Sequence, residues 1–283
     1  MTVQDEFAVT SVSRLHYRDW GARSRSAVLL LHGLTGNAWE WDPVAAALSS
    51  DHRVVALNQR GHGASRWADD YAAERMVDDL CGFCATLELD AVTVVGHSMG
   101  GLNAFLFAAS RPDLVERLAI VDFGPDSLTP EAATAWATSL RSSARAVYRS
   151  PAEAVEEWRS ANPRAGPDEL AHFVTHNLAE SEDGGWRWRF DAAGLESFLD
   201  QLPDEHSQWA ALEGLECPTL VIRGEHSEVL SRETAERMER ELPDAELVEI
   251  GGGAHDLTVE QPAALTEALS RWLAASPSRP AVA

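Results

Sequence analysis

Ser98 stands in Gly96-His97-Ser98-Met99-Gly100, directly after the apolar run Val92 to Val95 and just before Leu102, Phe105, Leu106 and Ala109, which repeat at helical spacing. A strand that turns sharply into a helix strains its central residue, and only small neighbours such as Gly96 and Gly100 leave room for it. The spacing therefore predicts a serine hydroxyl presented at the carboxyl end of a strand, as a nucleophile. Near neutral pH a hydroxyl attacks poorly unless a base takes its proton, an acid holds that base, and donors receive the charge on the attacked oxygen. For the base the sequence offers His255, in Gly251-Gly252-Gly253-Ala254-His255 directly after the last strand-like run. His32 and His97 belong to the turns beside the serine, and His16, His52, His62 and His226 lack a comparable context. The donors are expected to be two backbone N–H groups, that of Met99 at a helix N-terminus and that of Leu34 after His32-Gly33.

These residues need a scaffold, and the order of elements supplies one. Residues 7–20 alternate apolar and polar and read as an N-terminal hairpin leading to a charged turn over 19–26. Ala27 to Leu31 is a continuous apolar run of the kind expected of a strand buried on both faces. A helix over about 40–49, a strand Arg53 to Leu57, a helix over about 74–88, the serine strand and its helix, and a strand Leu118 to Val121 follow in alternation. That alternation is the pattern of an α/β, mostly parallel, doubly wound sheet, which carries its sites at the carboxyl ends of its strands. It stops for residues 126–215, where Thr129-Pro130, Ser150-Pro151 with Glu153, and Gly166-Pro167 each read as a helix start. It resumes with Pro218 to Gly224, a helix over 232–241, a strand Glu246 to Ile250 and a last helix bearing Leu265, Leu269, Trp272 and Leu273. We therefore expect a core of 1–125 and 216–275, a helical cap of 126–215 inserted after the sixth strand, and a flexible tail of 276–283. Five of the ten tryptophans lie in the cap, which makes an apolar or aromatic acyl pocket the expectation, with His32, Gly33, His97, Trp136, Trp186 and Trp188 as its candidates.

Bulk properties narrow the function. A formal net charge of -22 argues against nucleic acid or an anionic membrane as partner, because the attraction they rely on becomes repulsion. All 23 basic residues are Arg, which excludes lysine Schiff-base chemistry and a lysine-dependent phosphate loop. Residues 1–6 lack the layout of a signal peptide and no apolar run matches a membrane span, so the expected location is the cytoplasm. Cys81-Gly82-Phe83-Cys84 has redox-motif spacing but falls inside an amphipathic helical pattern and reads as packing. His172 and His176 have the spacing of a zinc-protease helix without its Glu, so no metal is expected. No glycine-rich dinucleotide loop follows the first buried strand, and the chemistry as read requires no cofactor.

Taken together, His32-Gly33 after a buried strand, Asn58-Gln59-Arg60-Gly61-His62-Gly63-Ala64-Ser65, Gly96 to Gly101, Gly253-Ala254-His255 and the placement of the helical insertion resemble the α/β-hydrolase superfamily over nearly the whole chain. The family commonly has Asp where Asn58 stands, a turn position without direct chemistry. The resemblance implies an acid for His255. Most relatives carry it after the next-to-last strand, where this chain has Ser227, with Glu228 one position later and Glu225 earlier. A subset of serine esterases with a similar Arg-Gly-x-x-Ser loop draws it from the end of the strand after the nucleophile helix, where Asp122 stands. Asp122 is favoured over Glu228. The expected activity is hydrolysis of a small-molecule carboxylic ester, a lactone or a thioester through an acyl-enzyme on Ser98. A carbon-carbon bond hydrolase, a cofactor-free perhydrolase and a non-hydrolytic ligand receptor keeping the same three residues are the alternatives. An epoxide or haloalkane hydrolase would need Asp in place of Ser98.

Overall fold

A computed structural model describes residues 3–21 and 26–275. Eight strands form one sheet: β1 (Gln4–Val9), β2 (Arg14–Asp19), β3 (Ala27–Leu31), β4 (Arg53–Leu57), β5 (Val92–His97), β6 (Val115–Val121), β9 (Thr219–Gly224) and β10 (Ala245–Ile250). Their spatial order is β1-β2-β4-β3-β5-β6-β9-β10, with β2 antiparallel to β1 and β4 and every other pair parallel. This is the mostly parallel, doubly wound α/β sheet expected from the alternation. Side-chain alternation sends the interior strands into two separate apolar layers. Leu29 and Leu31 join Phe105, Phe107 and Met238 on one face, and Val28 and Leu30 join Trp41, Leu265, Leu269 and Trp272 on the other. Because both faces are covered, β3, β4 and β5 are buried at every position, which is why they read as continuous apolar runs.

The helices follow the chain. α1 (Asp42–Leu48), α2 (Ala73–Leu87) and α3 (Met99–Ser110) belong to the first half, with a short 3-10 turn over Ala38–Trp41 before α1. Between β6 and β9 lie α4 (Pro130–Arg145), α5 (Pro151–Ala161), α6 (Pro167–His176), the two-stranded ribbon β7 (Leu178–Glu180) and β8 (Trp186–Trp188), α7 (Ala192–Asp200) and α8 (Glu205–Glu213). α9 (Arg232–Glu241), α10 (Leu257–Glu260) and α11 (Pro262–Ala274) complete the chain. The three expected starts are in place: the Thr129 hydroxyl accepts from Ala132 N–H, Ser150 accepts from Glu153 N–H, and Gly166 precedes Pro167 without a side-chain cap. Glu153 turns back to Arg149 N–H at 2.7 Å, one residue before the cap it was expected to complete.

Three features differ from the sequence reading. The expected 40–49 helix is divided by the 3-10 turn, the ribbon and α10 were not anticipated, and α7 and α8 start on the Asp191 and Asp204 caps rather than on a Pro signal. Part of the charged turn, 22–25, and the tail, 276–283, lie outside the described residues. Cys81 and Cys84 lie well inside α2, with Cys84 buried and its thiol pushed up to about 12 by that burial. No helix among the described residues is long and apolar enough to cross a membrane.

Candidate active site

The turn from β5 into α3 depends on its two glycines. A Cβ on Gly96 would stand 2.1 Å from the Gly100 carbonyl oxygen, and one on Gly100 would stand 2.3 Å from that of Leu31. This packing holds Ser98 at φ 54° and ψ -119°, a region that L residues rarely enter, and leaves it half-buried at the end of its strand. Asp122, at the end of the neighbouring β6, also has a positive φ, 53°. Pairing of β6 with β9 aligns Val121 with Ile222, which carries Asp122 to the first turn after β9.

There its carboxylate is enclosed by donors. Oδ1 accepts from Gly224 N–H at 2.9 Å, and Oδ2 accepts from the Ser227 hydroxyl at 2.5 Å and from His255 Nδ1 at 2.8 Å. A carboxylate so placed only accepts, so the His255 proton lies on Nδ1 and Nε2 is left as the acceptor of the Ser98 hydroxyl, 2.9 Å away. Ser98, His255 and Asp122 are therefore brought into one hydrogen-bonded line. Glu228 is exposed and makes no hydrogen bond to His255, and Glu225 instead accepts from Gly252 N–H at 2.8 Å, which holds its carboxyl below the usual range. Ser227, at the position where most relatives carry the acid, orients Asp122 instead.

The N–H groups of Leu34 and Met99 meet no protein acceptor among the described residues. Three buried side chains fix the peptides around Leu34. His32 accepts from Gln59 N–H at 3.0 Å through Nε2 and donates to Gly33 O at 2.8 Å through Nδ1. Full burial holds its pKa well below the ordinary histidine value, so it is neutral. Gln59 donates back to His32 O at 2.8 Å and accepts from Asn103 of α3 at 2.7 Å. His62 reaches the Leu34 carbonyl oxygen with Nε2 at 2.8 Å.

A second carboxylate-imidazole pair lies below the first. His97 donates to His255 O through Nε2 at 2.9 Å and faces Glu40 Oε1 through Nδ1 at 3.4 Å. Both residues are buried. Burial opposes charge on each, raising Glu40 and working against His97, but the hydrogen bond and charge of Glu40 lift His97 to about 9. At neutral pH the proton stays on His97. Among the residues that the sequence reading did not include in the site are Glu40, Gln59, His62, Asn103 and Asp256. The signal for Glu40 was a single charge between Trp39 and Trp41; that for His62, placed in the Asn58 to Ser65 turn, was only its neighbourhood.

Two chambers border Ser98 and share Leu34 and Trp136 as walls. One is lined by Leu34, Met99, Leu102, Phe123, Leu128, Trp136, Phe198, Leu199 and Val229, with Ser98 as its one polar side chain. The other is lined by His255, Asp256, His97, Glu40, Thr35 and Thr258, together with Gly33, Leu34, Gly36, Ser98, Trp136 and Phe173. Of the expected pocket residues, Trp136 borders both chambers, Gly33 and His97 border the second, and His32 lies behind them. Trp186 and Trp188 line neither. Trp188 packs on Trp158 with ring centroids 4.8 Å apart and edge-on to Tyr148, and Trp186 bridges to Tyr148 through its backbone. The rings of His172 and His176 lie tilted against each other with centroids 4.3 Å apart, His176 Nδ1 bonded to His172 O and His172 Nε2 3.1 Å from Asp42 Oδ2. Among the described residues, His97, His255 and Asp256 have donor atoms within 4.8 Å of one another, but both ring nitrogens of each histidine are already in hydrogen bonds.

Residues 26–262 match the model of the α/β hydrolase fold family. The chain belongs to that family, and the class of reaction its relatives share is hydrolysis. It is 31% identical to an esterase of Mycobacterium tuberculosis over 88% of this chain and 82% of that protein. To the sn-1-specific diacylglycerol lipase of Mus musculus it is 29% identical, over 90% of this chain and 83% of that one. Among solved structures, E-2-(acetamidomethylene)succinate hydrolase superposes with a TM-score of 0.89 at 25% identity, covering 97% of this chain and 100% of that chain.

Proposed function

We propose that this hydrolase cleaves carboxylic esters, lactones or thioesters among them, through an acyl-enzyme on Ser98. The observation that carries the reading is the line Asp122, His255, Ser98, joined at 2.8 and 2.9 Å, beside two backbone N–H groups without acceptors. In this reading His255 Nε2 takes the Ser98 proton as Oγ attacks the carbonyl carbon. The new oxyanion is received by Leu34 and Met99 N–H, and Asp122 holds the resulting imidazolium in place. Collapse of the tetrahedral adduct breaks the bond to the leaving group, which takes the proton from Nε2. Water then repeats the sequence and frees the acid and Ser98. Residues 126–215 act as a cap, contributing Trp136, Phe173, Phe198 and Leu199 to the chambers.

The names of the esterase and lipase relatives support the ester class. The doubly charged substrate in the name of the succinate hydrolase is not carried over, because no arginine lines either chamber and the chain has no lysine. The test is hydrolysis of a short p-nitrophenyl ester together with covalent labelling by a fluorophosphonate. Ser98→Ala is expected to abolish labelling and lower turnover by about a millionfold. Neither hydrolysis nor labelling of the wild type would leave the receptor reading.

A further inference from the structure

The order of bond breaking assigns the two chambers. After attack, the departing group must receive its proton from His255 Nε2, so it leaves on the side that His255 lines, and the acyl substituent points the other way. Only the second chamber is lined by His255. The first, bordered by Leu34 and Met99 on the oxyanion side, therefore takes the acyl chain. Its lining offers no partner for a charge, and burying an unpaired carboxylate there is strongly unfavourable.

The leaving-group chamber has the opposite character. Of its two carboxylates, Glu40 is committed to His97 and to Gly33 N–H. Asp256 is not. It is half-buried and sits at the start of α10 without capping that helix through its side chain. Its carboxylate has no hydrogen bond or ion pair among the described residues, and an oxygen of it lies within 4.8 Å of ring nitrogens of both His97 and His255. With Glu40 paired to the His97 cation, Asp256 is left as the second carboxylate of the chamber, without a hydrogen-bond partner among the described residues, beside the point where the leaving group departs. Glu260, the last residue of α10, does not share this position, because its carboxylate accepts from Ala254 N–H at 2.5 Å.

We propose that Asp256 sets the charge preference of the reaction: the substrates are esters of uncharged, apolar monocarboxylic acids whose leaving group is cationic or neutral, and never anionic. The inference rests on the ester reading above and names the substrate class for it. A unit charge about 5–6 Å from another in such a partly solvated site changes binding of the transition state by about tenfold or more.

The experiment compares kcat/KM for butyrate esters of three alcohols: choline, its uncharged isostere 3,3-dimethylbutanol, and anionic 2-hydroxyethanesulfonate. A fourth substrate, the 3,3-dimethylbutyl monoester of succinate, places a carboxylate on the acyl side. The wild type is expected to prefer choline over the sulfonate by at least about a hundredfold, with the isostere between them. It is expected to hydrolyse the succinate monoester at least about a hundredfold more slowly than the matching butyrate. Asp256→Asn should shrink the choline-to-sulfonate ratio by about tenfold or more, and Asp256→Glu should restore most of it. A ratio is unaffected by the fraction of enzyme that folds, so a poorly folded variant still reports. Glu213→Gln, which removes an exposed carboxylate from a separate groove between α8 and α9, should leave the ratio alone and so separates Asp256 from the overall charge of -22. A ratio unmoved by Asp256→Asn, or moved equally by Glu213→Gln, overturns the proposal, as does equal hydrolysis of butyrate and succinate monoester. If the wild type cleaves the neutral butyrate but shows no charge preference, this inference fails and the ester reading stands. Failure to cleave any of the four overturns both.

Discussion

Asp122 with His255 and Glu40 with His97 are the same two functional groups in the same kind of pair, a few ångströms apart, and they differ in what the imidazole has left over. His255 gives Nδ1 to Asp122 and keeps Nε2 for the Ser98 hydroxyl, on the border of a chamber. His97 lines the same chamber but has both nitrogens taken, Nδ1 directed to Glu40 and Nε2 to the carbonyl oxygen of His255 itself. A carboxylate beside an imidazole is therefore not sufficient for base chemistry. In the proposed reading the nitrogen turned to Ser98 makes the first pair a proton carrier, whereas the second, holding its proton up to about pH 9, ties down the loop that carries the first. On that reading the two pairs act in series, as base and as support for the base.

The comparison breaks most sharply at Asp122. Asp122→Asn keeps the shape of the side chain but allows an amide to donate to Nδ1, which favours the tautomer with its proton on Nε2, the wrong one for accepting from Ser98. Turnover of a p-nitrophenyl ester is expected to fall about ten-thousandfold, measured against titrated active protein. A loss under tenfold would separate Asp122 from the chemistry.

His97→Gln probes the supporting pair. It removes the cation and keeps one donor, and turnover is expected to fall between about tenfold and a hundredfold, the scale of a displaced base rather than a missing one. The distinguishing readout is the dependence of stability on pH. The folded value for His97 lies above the unfolded value of 6.5, so the native state holds this proton more tightly. The associated stabilisation is complete below pH 6.5 and is lost as the pH rises through about 9. Thermal midpoints of the wild type should therefore decline between about pH 7 and 10 relative to those of His97→Gln. Parallel curves would show that His97 carries no such linked proton.

The same contrast explains what could be read from the sequence. Ser98 and His255 have strong local signals because a strained turn needs glycine on both sides, and because the base follows its strand within a few residues. The alternation of the sheet was legible for a similar reason, since strands covered on both faces leave unbroken apolar runs such as Ala27 to Leu31. Asp122 had no local signal of its own, because its meeting with His255 depends on β6 and β9 lying side by side although about a hundred residues separate them. Glu40 was harder still. Its partner is 57 positions away, and nothing in Trp39-Glu40-Trp41 tells whether the charge faces solvent. The tryptophans of 126–215 show the limit of composition, since a count of rings does not tell which one faces the chambers. Strand alternation turns Trp188 into the interior of the insertion, while Trp136 on α4 reaches His255, with ring centroids 6.1 Å apart.

The smallest expected effect sharpens the comparison from the other side. Glu228 stands one residue past the position where most relatives carry the acid, and a carboxylate there could take over from Asp122 only by displacing Ser227. That serine is held on both sides: its hydroxyl donates to Asp122 and accepts from the Val229 and Leu230 N–H groups at 3.1 Å each. Glu228 remains exposed beside this turn, where solvent screens its charge. Glu228→Gln is therefore expected to change turnover by less than about twofold, within the range of surface substitutions. Ser227→Ala should cost more, about tenfold, by removing the donor to Asp122 while leaving the Gly224 N–H in place. Kinetics of the two variants side by side decide the matter: a larger loss at Glu228 than at Ser227 would mean that the acid in solution comes from the loop after β9 rather than from the end of β6.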